Sequence, residues 1–198
     1  MAEWFDFIVR ITGIFLAGIL MIWLGKYDQQ KKLAPWLKLL LQGIISCLVI
    51  FVGVRIEFIR GSSGDYWYLA NLSIPITLVW MLVITNSVGQ ANELSNLTPI
   101  IVFIASITFL FVSLFQRQGL ILAEILSIML AILSLFVIYL KKRKIKKSGI
   151  FTKYYMFFGF MLAIIAIVGV LKSTAALTLL TPFLILGLPI VDASYSFI

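Results

Sequence analysis

Apolar residues fall into seven long runs along the chain, Ile8 to Leu24, Leu39 to Val54, Ile74 to Val88, Pro99 to Phe115, Leu120 to Leu140, Met156 to Leu171 and Ala175 to Val191, separated by short polar segments. A bilayer span needs about 20 residues of helix, so the pattern predicts seven transmembrane helices. Unbroken runs of this length, without strand-like alternation, favour helices over a closed barrel, the only other backbone arrangement that satisfies itself in lipid. The expected fold class is therefore all-α, a polytopic bundle of about seven helices forming a single transmembrane domain over residues 1–198. Pro75 and Pro99 suit helix starts, whereas Pro182 and Pro189 fall inside the last run and predict a kink there.

Composition agrees with the pattern. Hydrophobic residues make up 62% and charged residues 12%, too little polar surface for a water-soluble globule. The chain has no histidine, which removes the commonest general base and transition-metal ligand. Cys47 lies within an apolar run and reads as a packing residue. The acidic start MAEWFDF, without a small-residue cleavage site, predicts that the first apolar run is retained as a helix rather than removed as a signal peptide.

The formal net charge of +8 is unevenly placed. Lys26, Lys31, Lys32 and Lys38 follow the first run, and Lys141, Lys142, Arg143, Lys144, Lys146, Lys147 and Lys153 follow the fifth. On a strictly alternating path these eleven lie on one side, against Arg10, Arg55, Arg60, Arg117 and Lys172 on the other. The positive-inside rule makes the basic side cytoplasmic, with the N-terminus outside and the C-terminus inside. Topology and attraction to anionic headgroups account for this charge without a nucleic-acid partner.

Few ionisable groups lie at membrane depth. Glu124 sits about 7.5 Å beyond Gly119 at the outer end of its helix, within reach of Arg117 or Lys172, and reads as one half of a structural ion pair. Arg10 reads as an outer-end residue that snorkels. Gly13, Ala17 and Gly18 would permit close helix approach. The segment ITNSVGQANELSNLT is expected to be a polar cytoplasmic loop, either lining a site or serving as a connector.

Taken in order, these segments resemble the polyprenyl-phosphate N-acetylhexosamine-1-phosphate transferases, membrane enzymes of cell-envelope glycan synthesis. LGKYDQQKKLAPWLKLL is similar to that family's LGxxDDxxxLxPxxKLL loop, and LSIPITLVWMLVITNSV to its LSxPLTxLWxxxxTNAxN stretch. GVRIEFI, GFMLAIIAIVGVLKS and PFLILGLPIVDASYSFI continue the likeness from about Gly13 to Asp192. The resemblance implies a helical scaffold that transfers a phospho-sugar from a UDP-sugar to polyprenyl phosphate at a cytoplasmic face, with Mg²⁺ held by aspartates. Magnesium demands hard oxygen ligands, which is why carboxylates are expected in that chemistry.

The carboxylates are where the chain departs from the family pattern. Asp28 is followed by Gln29 where a second aspartate is expected. The NAxNxxDGxDGL motif appears as NSVGQANELSNL, keeping Asn86 but placing Gly89, Asn92 and Ser95 where an asparagine and two aspartates belong. The IFxGDxGSxFLGF loop is shortened to IFTKYYMFFGF, without its acid. Asp28, Asn86 and Asp192 alone keep the family residue.

The resemblance therefore implies a catalytically degenerate homologue in a bacterial plasma membrane. No metal or other cofactor is expected, and the partners are membrane lipids, polyprenyl phosphate among them, or a membrane protein. Lys26, Lys31, Lys32, Lys141, Lys142, Arg143, Lys144, Lys146 and Lys147 are the candidate headgroup-binding residues, with a purely topological role as their alternative. Two further readings stand beside this one: a working Mg²⁺-dependent transferase completed by another chain, and a truncated remnant, suggested by a start two helices later than the family's and an end at YSFI.

Overall fold

The computed structural model describes residues 2–60, 65–95, 98–115, 121–142 and 154–170. Among these residues there are six helices: α1 (Ala2–Lys31), α2 (Pro35–Phe51), α3 (Ser73–Ser95), α4 (Thr98–Phe115), α5 (Ile121–Lys142) and α6 (Tyr155–Ile165), the last continued by a π-helical turn over Ala166–Val170. The all-α reading holds. The seventh expected helix, Ala175 to Val191 with Pro182 and Pro189, lies outside the described residues.

α1, α3 and α5 contain stretches long and apolar enough to cross a membrane alone, and α2, α4 and α6 are shorter apolar helices. Lipid-facing stripes are visible directly. On α5, Ile121, Ile125, Ile128, Ile132 and Leu135 are exposed at helical spacing, while Leu122, Leu126 and Leu130 on the opposite side are buried. An apolar stripe of this size has no place in water and marks a surface that meets lipid.

α1 supplies a ruler for the bilayer. Trp4 and Trp23 are both exposed, and the intervening helix is about 28 Å long, close to the hydrocarbon thickness of about 30 Å. Tryptophan prefers the two interfaces. Residues beyond Trp23, where Tyr27 stacks on it at 5.5 Å, therefore stand outside the hydrocarbon.

α6 is the axis of the bundle. Each side chain from Tyr155 to Val168 is buried, and the helix packs against α1, α3, α4 and α5. A helix apolar on all sides belongs in this central position. Close approach is achieved at glycines: a Cβ on Gly159 would stand 2.8 Å from the Thr85 backbone of α3, and one on Gly18 would stand 3.1 Å from the Phe157 ring. The small residues of α1 thus serve contacts inside the bundle, with Gly13 against Val52, Gly18 against α6, and Ala17 fully buried.

Several buried hydroxyl groups satisfy themselves locally, while those of Thr85, Ser113 and Ser127 have no partner among the described residues. Ser46, Ser87 and Ser106 each donate to the carbonyl four residues earlier, at 2.7 to 2.8 Å. At the outer end α2 closes in a Schellman motif: the Gly53 N–H donates to the Ile50 carbonyl at 3.0 Å and the Val54 N–H to the Val49 carbonyl at 3.2 Å. Gly53 has φ of +90, which glycine adopts without penalty. The Arg10 guanidinium lies against Gly53, so its cation faces the negative end of α2 rather than only reaching for water.

Three local features differ from the sequence reading. A short antiparallel hairpin, β1 (Phe58–Arg60) and β2 (Tyr66–Tyr68), pairs Phe58 with Tyr68 in the link between α2 and α3. α1 continues through Lys31, so Lys26, Asp28, Gln29 and Lys31 project from a helix end instead of a loop. α3 likewise continues to Ser95, so the segment expected as a polar loop is helical from Ile84 to Ser95. The reason is local: nothing in ITNSVGQANELS breaks a helix except Gly89, and Gly89 is held by packing.

Candidate functional site

The link between α1 and α2 is only three residues long, and Asp28 organises it. Its backbone carbonyl accepts the Lys32 N–H at 2.7 Å, and its Oδ1 accepts the Leu33 N–H at 3.2 Å. Lys32 takes a positive φ of 48 to make the turn, and Pro35 opens α2 where its missing N–H costs nothing. The second carboxylate oxygen, Oδ2, lies 3.5 Å from Lys38 Nζ, with the side chains only 17% and 20% exposed.

Tyr155, at the first turn of α6, closes this pair. Lys38 Nζ donates to the Tyr155 hydroxyl at 2.8 Å, and that hydroxyl donates onward to Asp28 Oδ2 at 3.4 Å. The ammonium also stands 5.3 Å from the Tyr155 ring centroid, where the ring face attracts a cation. Burial lowers the Lys38 pKa, but the Tyr155 hydroxyl and the Asp28 carboxylate raise it more, so the net shift is above the ordinary lysine value. Lys38 precedes the apolar run that begins at Leu39 and bonds to residues beyond Trp23, outside the hydrocarbon.

One turn deeper on the same face of α2, Gln42 is fully buried. Its Oε1 accepts from Asn86 Nδ2 at 2.8 Å, and the same Nδ2 donates to the Leu82 carbonyl at 2.7 Å. One turn further along α3 comes Gly89, where a Cβ would stand 2.6 Å from Tyr155 Cε2 and 2.8 Å from Cδ2. The contacts thus form a closed circuit, from Asp28 to Lys38, along α2 to Gln42, across to Asn86, along α3 to Gly89, and back through Tyr155. Four helices meet in it at the basic end of the bundle.

The structure brings together Asp28, Asn86 and Gly89 from the expected set, though Asp28 and Asn86 are joined through α2 and not in direct contact. Gln29, Lys26, Lys31 and Lys32 are exposed around the cluster. Asn92 and Ser95 lie in the last turns of α3, and Lys141 and Lys142 in the last turn of α5. Arg143, Lys144, Lys146, Lys147 and Asp192 lie outside the described residues, as do Arg117 and Lys172, the expected partners of Glu124.

Lys38, Gln42 and Tyr155 are members that the sequence reading did not select. Lys38 had a signal, since it occupies the lysine of the family's KLL pattern, but it was counted only with the topological charges. Tyr155 lies in the shortened loop IFTKYYMFFGF, whose difference from the family pattern is most visible in the missing acid.

The positions that would hold a magnesium ion fall only in part on the described residues. No group of three or more histidine, cysteine or carboxylate side chains lies together among them. The single carboxylate here, Asp28, faces an ammonium and a hydroxyl, and an octahedral Mg²⁺ shell calls for free oxygen donors.

Comparison with known proteins gives this scaffold its context. A family model described as Glycosyl transferase family 4 matches residues 11–170. The chain is 24% identical over 190 residues to the probable undecaprenyl-phosphate N-acetylglucosaminyl 1-phosphate transferase of Bacillus subtilis (strain 168), an alignment covering 96% of this chain and 52% of that protein. The chain thus spans about half the length of the curated relative it matches. No solved structure matches it significantly.

Proposed function

The chain belongs to glycosyl transferase family 4, and we propose that within this family it has exchanged sugar-phosphate transfer for the binding of an anionic lipid headgroup at its basic end. The observation that carries this reading is the state of Asp28. Its carboxylate accepts the Leu33 N–H, pairs with Lys38 and accepts from Tyr155, so among the described residues the acid retained at a family position is committed to holding helices together. Gln29, Asn92 and Ser95 supply no charge at the positions where the resemblance calls for aspartates.

What the basic end offers is cations without metal. Lys26, Lys31 and Lys32 are exposed around the turn, and the KKRKIKK run begins in the last turn of α5. Lysines of this kind hold phosphate as point charges, and a polyprenyl phosphate presents the same group as any anionic headgroup. The lipid reading is tested by reconstituting the protein in nanodiscs of mixed neutral and acidic lipids and measuring acidic-lipid enrichment. Changing Lys141, Lys142, Lys144, Lys146 and Lys147 to Gln should weaken it by about 1 kcal/mol for each charge close to the surface. Equal enrichment for both proteins contradicts the headgroup role and leaves the lysines to topology or to a membrane protein partner.

One observation favours a second reading. The chain covers 52% of its relative, so a transferase completed by another polypeptide, which would supply the missing magnesium ligands, is compatible with the intact scaffold.

A further inference from the structure

We propose that Tyr155 is a built-in occupant of the cluster, an autoinhibitory plug whose ring is seated against Gly89 and whose hydroxyl shuts Lys38 off from external anions. Three observations converge on it. The ring fills the space in front of Gly89 so closely that even a methyl group there would meet Cε2 at 2.6 Å. The hydroxyl bonds to both members of the Lys38–Asp28 pair, at 2.8 and 3.4 Å, beside their direct contact of 3.5 Å. The residue is 5% exposed although it is at the first turn of its helix, where a side chain near the membrane surface would ordinarily reach water.

Gly89 and Tyr155 are a compensated pair. A residue larger than glycine at this position on α3 leaves no room for the ring, since its Cβ would stand 2.6 Å from Cε2. Two of the departures from the family motifs meet here: Gly89 stands where the resemblance calls for an asparagine, and Tyr155 belongs to the shortened loop without its acid. The cluster is therefore narrowed by volume as well as by charge, and Lys38, whose side chain is only 20% exposed, becomes fully accessible when the first turn of α6 withdraws.

This deepens the headgroup reading by naming the residue that controls the best-placed cation. Its test reads neither turnover nor lipid enrichment, so the two fail separately. The full-length protein in nanodiscs is labelled with a water-soluble amine reagent, and modification of Lys38 is compared by mass spectrometry with that of exposed Lys26 in the same molecule. In the wild type, Lys38 reacts at least about tenfold more slowly than Lys26, as expected of a group reached only by local opening. Tyr155→Ser and Gly89→Ala each bring the two rates together. Adding Gly89→Ala to Tyr155→Ser changes neither the Lys38 rate nor the melting temperature further, because the ring it would strike is gone. Lys38 reacting as fast as Lys26 in the wild type, or remaining slow in Tyr155→Ser, overturns the proposal. Additive loss of melting temperature from the two substitutions also overturns it, since that result denies the seating of the ring against Gly89.

Discussion

Asn86 of α3 donates its side-chain amide to Gln42 of α2 at 2.8 Å, joining two helices just inside the apolar layer. The bond leaves Gln42 Nε2 buried with no partner among the described residues. Removing one partner from such a pair strands the other, whereas removing both does not. Asn86→Leu should therefore destabilise the protein by about 1 to 3 kcal/mol, while Gln42→Leu combined with Asn86→Leu should lie close to wild type. Unfolding in mixed detergent micelles measures both. A double variant as unstable as Asn86→Leu alone contradicts this account of the pair.

The outer end of α2 makes a second, independent expectation. Gly53 stands at φ +90, in the region where side chains with a Cβ incur a penalty of about 1 kcal/mol or more. Gly53→Ala should lower stability by that amount through its backbone alone, since the added Cβ would meet the Arg10 guanidinium at an ordinary contact distance of 3.4 Å. Arg10→Gln should cost less, because the interaction of a cation with a helix end is worth only about 0.3 to 1 kcal/mol at an exposed site. Thermal melts of both variants against wild type check the order.

Much of the fold was legible because lipid imposes a coarse code. Three apolar runs coincide within a few residues with α4, α5 and α6 with its π-helical turn, those of α1 and α3 lie inside longer helices, and Pro75 and Pro99 lie in the first turns of α3 and α4. α2 begins four residues earlier than its run, at Pro35, because Asp28 holds the preceding turn. The hairpin at Phe58 was invisible, since strands of three residues leave no periodicity to detect. The helical ends of α1 and α3 were missed for a related reason. Polar sequence after an apolar run reads as a loop, although water outside the bilayer accepts a polar helix equally well.

The site was half legible. Asp28 and Asn86 came from the family motifs, and those motifs also marked Gly89 as a substitution. What no motif displayed was the partner of each change. Tyr155 lies 66 residues beyond Gly89 in the sequence, and the two meet only because α6 runs through the centre of the bundle. Gln42 was hidden as a lone polar residue within an apolar run, and its meaning appears only once α3 places Asn86 opposite it.

Topology gives a third prediction. With Cys47 replaced by Ala, cysteines introduced at Gln29 and Ser148 should label from the same, cytoplasmic face, and one at Asp65 from the other. This follows from collecting eleven basic residues on one side, and the bonds of Tyr155 to Lys38 and Asp28 already set the start of α6 beside the end of α1. Opposite labelling of positions 29 and 148 contradicts the assignment.

The central claim, that sugar-phosphate transfer has been lost, is tested most directly by UMP release from UDP-N-acetylhexosamine in the presence of polyprenyl phosphate and Mg²⁺. Metal stabilisation of a transferring phosphoryl group is worth several kcal/mol, and each ~1.4 kcal/mol of barrier is a factor of ten in rate. With Asp28 paired to Lys38 and no group of three or more potential metal ligands among the described residues, the purified chain should release no UMP above background. Gln29→Asp should not restore release, because Lys38 and Tyr155 still occupy Asp28. Turnover that requires Mg²⁺ and disappears in Asp28→Asn would contradict the account and establish the chain as a working transferase.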